Sequence, residues 1–373
     1  MPKQNGKKTI RIDFRYYWGH FNPEDNIFMN LLKKDYNVIL DKENPDYVFF
    51  SVYDGKRPVN SKKLGGPLRI MEKNFPGLYR ITRDVYYFKK ERWKMPVLEG
   101  NFIKIFFTVE NALPKMDKCD WAFTNEFDEE LQNPRHMRIS NYTFYSVKNP
   151  KDLVKGRYYD VKKIMSQKTK FCLFMCSNNV AFRNKFFKKL CRYKKVESWG
   201  KVLNNMGGGM PRVYEGGNKK ETRGYIPLDF IRQYKFIIAF ENASHPGYTS
   251  DRKIEPMMAG SIPIYWGNPL IEREFNTKSF ISYHDFEKEI KKRLPAFFFR
   301  IPFLKWLSNK YLEETTFRAM IKKIIEIDKN DELWEEILKE PWYPNNEPTK
   351  YLDKELIRKR LKQIIESPKQ IKD

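Results

Sequence analysis

Residues Lys235 to Pro269 read KFIIAFENASHPGYTSDRKIEPMMAGSIPIYWGNP, and this stretch decides the fold. Phe236, Ile237, Ile238, Ala239 and Phe240 form an unbroken apolar run bounded by polar residues, which fits a parallel strand covered on both faces. The chain turns polar at Glu241 and Asn242. Gly247 and Tyr248 then lead into Thr249, Ser250 and Asp251, any of which can cap a helix running through Met257, Met258 and Ala259. Ser261 to Tyr265 returns as a second strand. In open α/β sheets ligands bind beyond the carboxyl ends of the strands, where helix N-termini offer free N–H groups to phosphate. Asn242, Tyr248, Asp251 and Arg252 fall in that place.

Outward from this stretch the same α/β alternation continues. Thr9 to Phe14 predicts a strand, Pro23 to Lys34 a helix with Ile27, Phe28, Leu31 and Leu32 inward, and Tyr47 to Val52 and Phe102 to Thr108 two further strands. Pro150 to Arg157 is a basic connector that marks the region of a domain boundary. Phe171 to Cys176 opens a second α/β unit, followed by a helix from about Ala181 to Cys191 with Phe186, Phe187 and Leu190 on its apolar side. Gly207, Gly208 and Gly209 lack the Lys-Ser/Thr ending of a phosphate loop and predict a surface loop within Asn204 to Lys220. Leu352, Leu356, Ile357, Leu361 and Ile364 have helical spacing, with basic residues between them, and predict a helix docked on a core. The pattern supports two doubly wound α/β domains, residues 1–155 and 156–350, and a basic amphipathic C-terminal helix over 351–373.

Composition sets the outer limits. A chain of 373 residues accommodates two domains, and 41 % hydrophobic with 16 % aromatic residues excludes disorder over most of its length. Lys and Arg outnumber Asp and Glu by 71 − 47 = 24. That excess suits anionic nucleotides, acidic lipid head groups or nucleic acid without choosing among them. Cys119, Cys172, Cys176 and Cys191 stand in no metal-ligand spacing and read as buried thiols. His20, His136, His245 and His284 are scattered. The N-terminal residues carry no apolar run of signal-peptide length and no uncharged run is long enough to span a bilayer, so a cytoplasmic protein, soluble or peripheral on the inner membrane face, is expected.

At Phe240-Glu241-Asn242, Tyr248, Asp251-Arg252 and Ile262-Pro263-Ile264-Tyr265-Trp266-Gly267 the chain resembles the α-1,3-fucosyltransferase family, whose donor signature reads FEN, a loop, Y-x-T-E-K, a helix and I-P-I-Y-W-G. The usual Glu-Lys pair is Asp251-Arg252 here; a guanidinium can grip phosphate through two bonds where an ammonium cannot. The resemblance extends to Thr108-Val109-Glu110-Asn111, similar to the family's T-G-E-N with Val109 for glycine, and to the strand Cys119-Asp120-Trp121-Ala122 after it. It also covers Ser177-Asn178 with Arg183-Asn184, and Glu340 to Asn346. It implies the GT-B arrangement, two Rossmann-like domains facing across a cleft, with the acceptor held by the first and the GDP-sugar by the second.

The same resemblance implies Glu110 as catalytic base and Arg183, Asn242, Tyr248, Asp251 and Arg252 as donor-binding residues. The expected reaction moves fucose from GDP-fucose, with inversion and without a metal or other cofactor, to an N-acetylglucosamine or glucose hydroxyl of a glycan or glycolipid in α-1,3 or α-1,4 linkage. Position gives Glu110 its own warrant, as a carboxylate just past the end of a buried strand. Another nucleotide sugar is the alternative that Asp251-Arg252 raises. A nucleic-acid-binding protein answers to the charge but finds no binding module in the sequence. Lys291 to Lys310, KKRLPAFFFRIPFLKWLSNK, sets aromatics among basic residues and predicts contact with an anionic membrane surface, with Pro295 and Pro302 breaking any continuous helix.

Overall fold

The computed structural model describes residues 6–19, 21–54, 95–145, 150–156, 159–209, 211–213, 226–295 and 302–367. His20, residues 214–220 of the glycine-rich stretch, and Phe297, Phe298 and Phe299 of the expected membrane segment lie outside the described residues. The chain divides into two compact units, Met1–Asn141 with Asp353–Asp373, and Tyr142–Leu352.

The first unit runs β1 (Thr9–Arg15), α1 (Ile27–Asp35), β2 (Asn37–Leu40), β3 (Tyr47–Phe50), β4 (Ile103–Phe107), β5 (Trp121–Thr124), α2 (Asp128–Leu131) and β6 (His136–Arg138). Its six strands lie in the order β2-β1-β3-β4-β5-β6, every pair parallel. The order reverses between β1 and β3, so the carboxyl ends of these two strands flank a topological switch point. Strands buried on both faces need unbroken apolar runs, and Tyr47-Val48-Phe49-Phe50 is buried at every position. α1 starts where the Asn26 side chain accepts the N–H groups of Phe28 and Met29, and it buries Phe28, Met29, Leu31 and Leu32. Phe28 meets Phe49 and Phe107 with ring centroids 5.0 and 4.9 Å apart, tying helix to sheet.

The helix α3 (Asn141–Tyr145) crosses the boundary between the units. The second unit follows as α4 (Val161–Ser166), β7 (Lys170–Met175), α5 (Ala181–Leu190), β8 (Val196–Trp199), α6 (Leu228–Arg232), β9 (Tyr234–Phe240), α7 (Asp251–Met258), β10 (Ile262–Trp266), β11 (Ile281–Ser282), α8 (Tyr283–Lys292), α9 (Pro302–Lys329) and α10 (Asp331–Lys339). Its sheet is also wholly parallel, in the order β11-β10-β9-β7-β8, and reverses between β7 and β9. β9 is the fully buried central strand that its apolar run predicts. α5 and α9 cover one face, where Phe186, Phe317, Met320 and Ile324 pack with Phe236 and Phe240. α7 covers the other with Ile254 and Met257. α7 ends at Gly260, whose φ of +65° lets Ser261 N–H reach the Pro256 carbonyl at 2.9 Å; a Cβ there would stand 2.9 Å from Ile164 Cγ2. α8 ends at Lys292, residues 293–295 are not helical, and α9 opens on Pro302.

The last helix, α11 (Lys354–Glu366), belongs to the first unit. It buries Ile357, Leu361, Ile364 and Ile365, while Arg358 grips Asp35 at the end of α1 through two bonds of 2.7 Å. The bonded guanidinium holds the Asp35 carboxyl below its usual range. Among the described residues no helix is long and apolar enough to cross a membrane.

Candidate active site

The second unit gathers its polar residues at its own switch point, beyond the carboxyl ends of β7 and β9. After β7 the chain passes Ser177 and Asn178 into α5, which carries Arg183 in its first turn. Arg183 is 1 % exposed and straps the two strand ends together: Nη2 donates to the Asn178 carbonyl at 2.7 Å and Nη1 to that of Phe240 at 3.2 Å. Its Nε is buried without a hydrogen-bond partner. After β9 comes Glu241, 0 % exposed, whose carboxylate accepts the backbone N–H and the hydroxyl of Ser250 at 2.7 Å each and Arg252 Nη1 at 3.4 Å. Ser250 is also the N-cap of α7, accepting the Arg252 N–H. A single buried carboxylate therefore fixes the start of α7 and the guanidinium on its second residue.

Electrostatics gives this corner its chemistry. Burial, and next the charge of Arg252, lower the pKa of Arg183. Burial also acts against the Arg252 charge, but Glu241, Asp251 and Tyr248 outweigh it and hold its pKa above the usual value. Burial raises the Cys176 thiol at the end of β7, against the pull of both arginines. Two guanidinium groups thus act on the same strand end, beside the N-terminal ends of α5 and α7. Such an arrangement gains from a bound anion, above all a diphosphate.

The other expected donor residues stand around this corner. Asn242 accepts a hydrogen bond from Asn178 Nδ2 at 3.4 Å, joining the loops after β7 and β9. Tyr248 is buried, and Asp251 opens α7. Three further residues that local patterning does not single out shape this corner: Glu241, Ser250 as its bonding partner, and Asn268. Asn268 Oδ1 accepts Gly247 N–H at 2.9 Å and its Nδ2 reaches Thr249 Oγ1 at 3.3 Å, so it pins the loop before α7 to the end of β10. Gly267 lets that strand end approach: a Cβ there would lie 2.4 Å from Glu241 Cγ. Among the described residues no group of three or more His, Cys, Asp or Glu is gathered as for a metal ion.

Glu110 lies in the first unit, just beyond β4 and half-buried. Its N–H donates to Thr108 Oγ1 at 3.0 Å, and its carbonyl accepts Ala112 N–H at 2.9 Å and Asn125 Nδ2 at 3.4 Å. Asn141 Nδ2 holds the preceding carbonyl, that of Val109, at 3.2 Å. Its carboxylate accepts the Tyr53 hydroxyl at Oε1, 2.7 Å away.

Comparison with known proteins agrees with this geometry. Residues 165–300 match the family model of the glycosyltransferase family 10 (fucosyltransferase) C-terminal domain. An α-(1,3)-fucosyltransferase of Helicobacter pylori is 30 % identical over 216 residues, which cover 50 % of this chain and 42 % of that protein. α-(1,3)-Fucosyltransferase B of Drosophila melanogaster is 34 % identical over 106 residues, covering 28 % of this chain and 23 % of its own. The matched stretch thus spans less than half the length of either relative. A crystal structure of an α1,3-fucosyltransferase with GDP-fucose superposes with a TM-score of 0.62 at 20 % identity, over 98 % of this chain and 93 % of that one. The same enzyme class with GDP gives the same values. That likeness shows the fold, which is of the GT-B class. Residues 165–300, with the switch point of β7 and β9 among them, are thus similar to the glycosyltransferase family 10 (fucosyltransferase) C-terminal domain.

Proposed function

We propose that this chain is an inverting, metal-independent fucosyltransferase that moves fucose from GDP-fucose to a 3- or 4-hydroxyl of an N-acetylglucosamine or glucose unit in a glycan acceptor. The observation that carries this reading is the pair Arg183, in the first turn of α5, and Arg252, at the start of α7, inside the stretch that matches the fucosyltransferase family model. Negative charge grows on the departing GDP as the anomeric carbon gains oxocarbenium character, and guanidinium groups near the diphosphate stabilise that charge. Two arginines supply the neutralisation that a divalent ion gives in other transferases. Asn242, Tyr248 and Asp251 orient the ribose, phosphate or sugar of the donor.

Glu110 acts as general base. It takes the proton of the acceptor hydroxyl while that oxygen bonds to the anomeric carbon, and the carbon–oxygen bond to GDP breaks on the opposite face. Incubation with GDP-fucose and a panel of lactosamine-type acceptors, followed by mass and linkage analysis in the presence of EDTA, tests the reading. A fucosylated product with new α-1,3 or α-1,4 linkage supports it. Turnover that vanishes in EDTA and returns with Mn²⁺ overturns the metal-free scheme. Asp251-Arg252 in place of the family's Glu-Lys favours one second reading, transfer of another sugar from its GDP derivative, and a donor panel separates the two. Glu110→Gln should lower transfer by about a hundredfold or more with GDP affinity kept, as for loss of a general base; retained turnover refutes the assignment.

A further inference from the structure

The side chain of Glu110 is half-buried, and among the described residues its one hydrogen-bond partner is Tyr53, through Oε1 at 2.7 Å. A glutamate has three side-chain torsions, so a carboxylate in a loop samples many orientations unless something outside its own backbone fixes it. The backbone of Glu110 is already fixed by Thr108, Asn125 and Ala112. The carboxylate depends on Tyr53.

Tyr53 is itself well anchored. It follows β3, and its N–H donates to the carbonyl of Tyr16 at 2.9 Å, joining the loops after β3 and β1 at the switch point of the first unit. Tyr16 holds that carbonyl in place with a φ of +60°, a left-handed conformation that a bulky residue adopts only when its surroundings impose it. The Trp18 ring meets the Tyr53 ring edge to face, centroids 5.9 Å apart, and Trp18 packs in turn on Tyr17 and Phe21. An aromatic group built on the first strand thus aims a phenol on the third at a carboxylate on the fourth.

We propose that Tyr53 is a positioning residue for transfer: its hydroxyl ties Oε1 of Glu110 and so presents Oε2 to the acceptor hydroxyl. The inference rests on the reading of Glu110 as the general base. A base held within hydrogen-bond reach of its proton works far better than one that must be oriented during the reaction. Tyr53 touches neither donor nor acceptor in this scheme and acts through Glu110 alone.

Tyr53→Phe removes one oxygen and keeps the ring. The expected result is a fall in kcat of about tenfold to a hundredfold, the range for losing a hydrogen bond to a charged group, with the melting temperature and the dissociation constant of GDP unchanged. A merely structural tyrosine would slow any background equally. The same substitution in Glu110→Gln should therefore produce no further loss, because the group it positions is no longer a base. Wild-type kcat in Tyr53→Phe, or an equal fractional loss with and without the carboxylate, overturns the proposal. Wild-type turnover in Glu110→Gln alone overturns the base assignment, and this inference with it, whereas a dead Glu110→Gln beside an active Tyr53→Phe removes the inference only.

Discussion

Lys253 is the least expected residue in the second unit, and replacing it by Met should stabilise the protein. It is 0 % exposed on α7. Its Nζ lies 3.4 Å from the Met257 sulfur and 3.4 Å above the centre of the Phe280 ring, with Phe275 at 5.2 Å and Tyr265 and Trp342 at 5.9 Å. Burial, and next the nearby Lys155, push its pKa well below the usual 10.5. A sulfur is a weak acceptor, so the buried amine forfeits about 1–3 kcal/mol of hydration, of which ring-face contact returns about 0.5–2 kcal/mol to the charged form. Met fills similar volume without the polar head. The net expectation at pH 7 is a gain of about 1 kcal/mol, or about 2–4 °C in melting temperature for a domain of this size.

The pH dependence sharpens the test. A lysine whose folded pKa lies below its unfolded 10.5 binds fewer protons when folded, so stability rises with pH up to 10.5. The slope per such lysine is at most about 1.4 kcal/mol per pH unit. Lys155 and Lys168, both brought down to about 7 by burial, add slopes of the same sign and remain in the variant. Urea unfolding of both proteins at pH 7, 8 and 9 should show a shallower rise for Lys253→Met. Equal slopes, or a variant less stable than the parent at pH 7, would refute the account of a disfavoured buried amine.

Three further outcomes are expected. Gly267→Ala should destabilise by about 1–3 kcal/mol, since the new methyl collides with buried side chains, Glu241 Cγ at 2.4 Å and Tyr265 Oη at 2.7 Å; it should also weaken GDP binding, and a calorimetric titration indistinguishable from the parent would contradict the role given to Glu241. Arg252→Ala should raise the KM for GDP-fucose by about tenfold or more through loss of a charge-assisted contact, while Arg252→Lys, the family's usual residue, should stay active; an inactive lysine variant would mean that this chain uses the position differently. Arg358→Ala breaks both 2.7 Å bonds to Asp35 and should loosen the docking of α11, visible as earlier protease cleavage ahead of α11; unchanged digestion would count against α11 as part of that unit's fold.

What the sequence disclosed follows from which forces are local. β9, α7 and β10 were legible because a doubly buried strand must be apolar throughout and a helix start must find a capping oxygen, and both demands are met by neighbours in sequence. The sequence left Thr249, Ser250 and Asp251 open as caps; Ser250 prevails because Glu241 takes its N–H and hydroxyl at once. Nothing in FEN says that the Glu241 side chain turns inward against Gly267. Lys253 fits the polar side of its helix by residue type and lies buried nonetheless, a choice made by aromatic rings from Phe275, Phe280 and Trp342 far along the chain.

The same reasoning explains the two halves of the proposed machinery. The proposed donor residues cluster within a few residues of two strand ends, those of β7 and β9, so two compact patterns reveal them. The partner of Glu110 sits 57 positions away, in the loop after β3, in a sheet whose order skips between β1 and β3. Pairing of that kind depends on strand order, which no local periodicity encodes. The C-terminal helix obeys this rule too: its apolar stripe announced that it would dock, but its partner, α1, is chosen by Asp35 and Arg358 meeting from opposite ends of the chain. Since that meeting completes a unit which includes β1, β3 and β4, the strands beneath Tyr16, Tyr53 and Glu110, α11 supports the fold on which the proposed base is mounted.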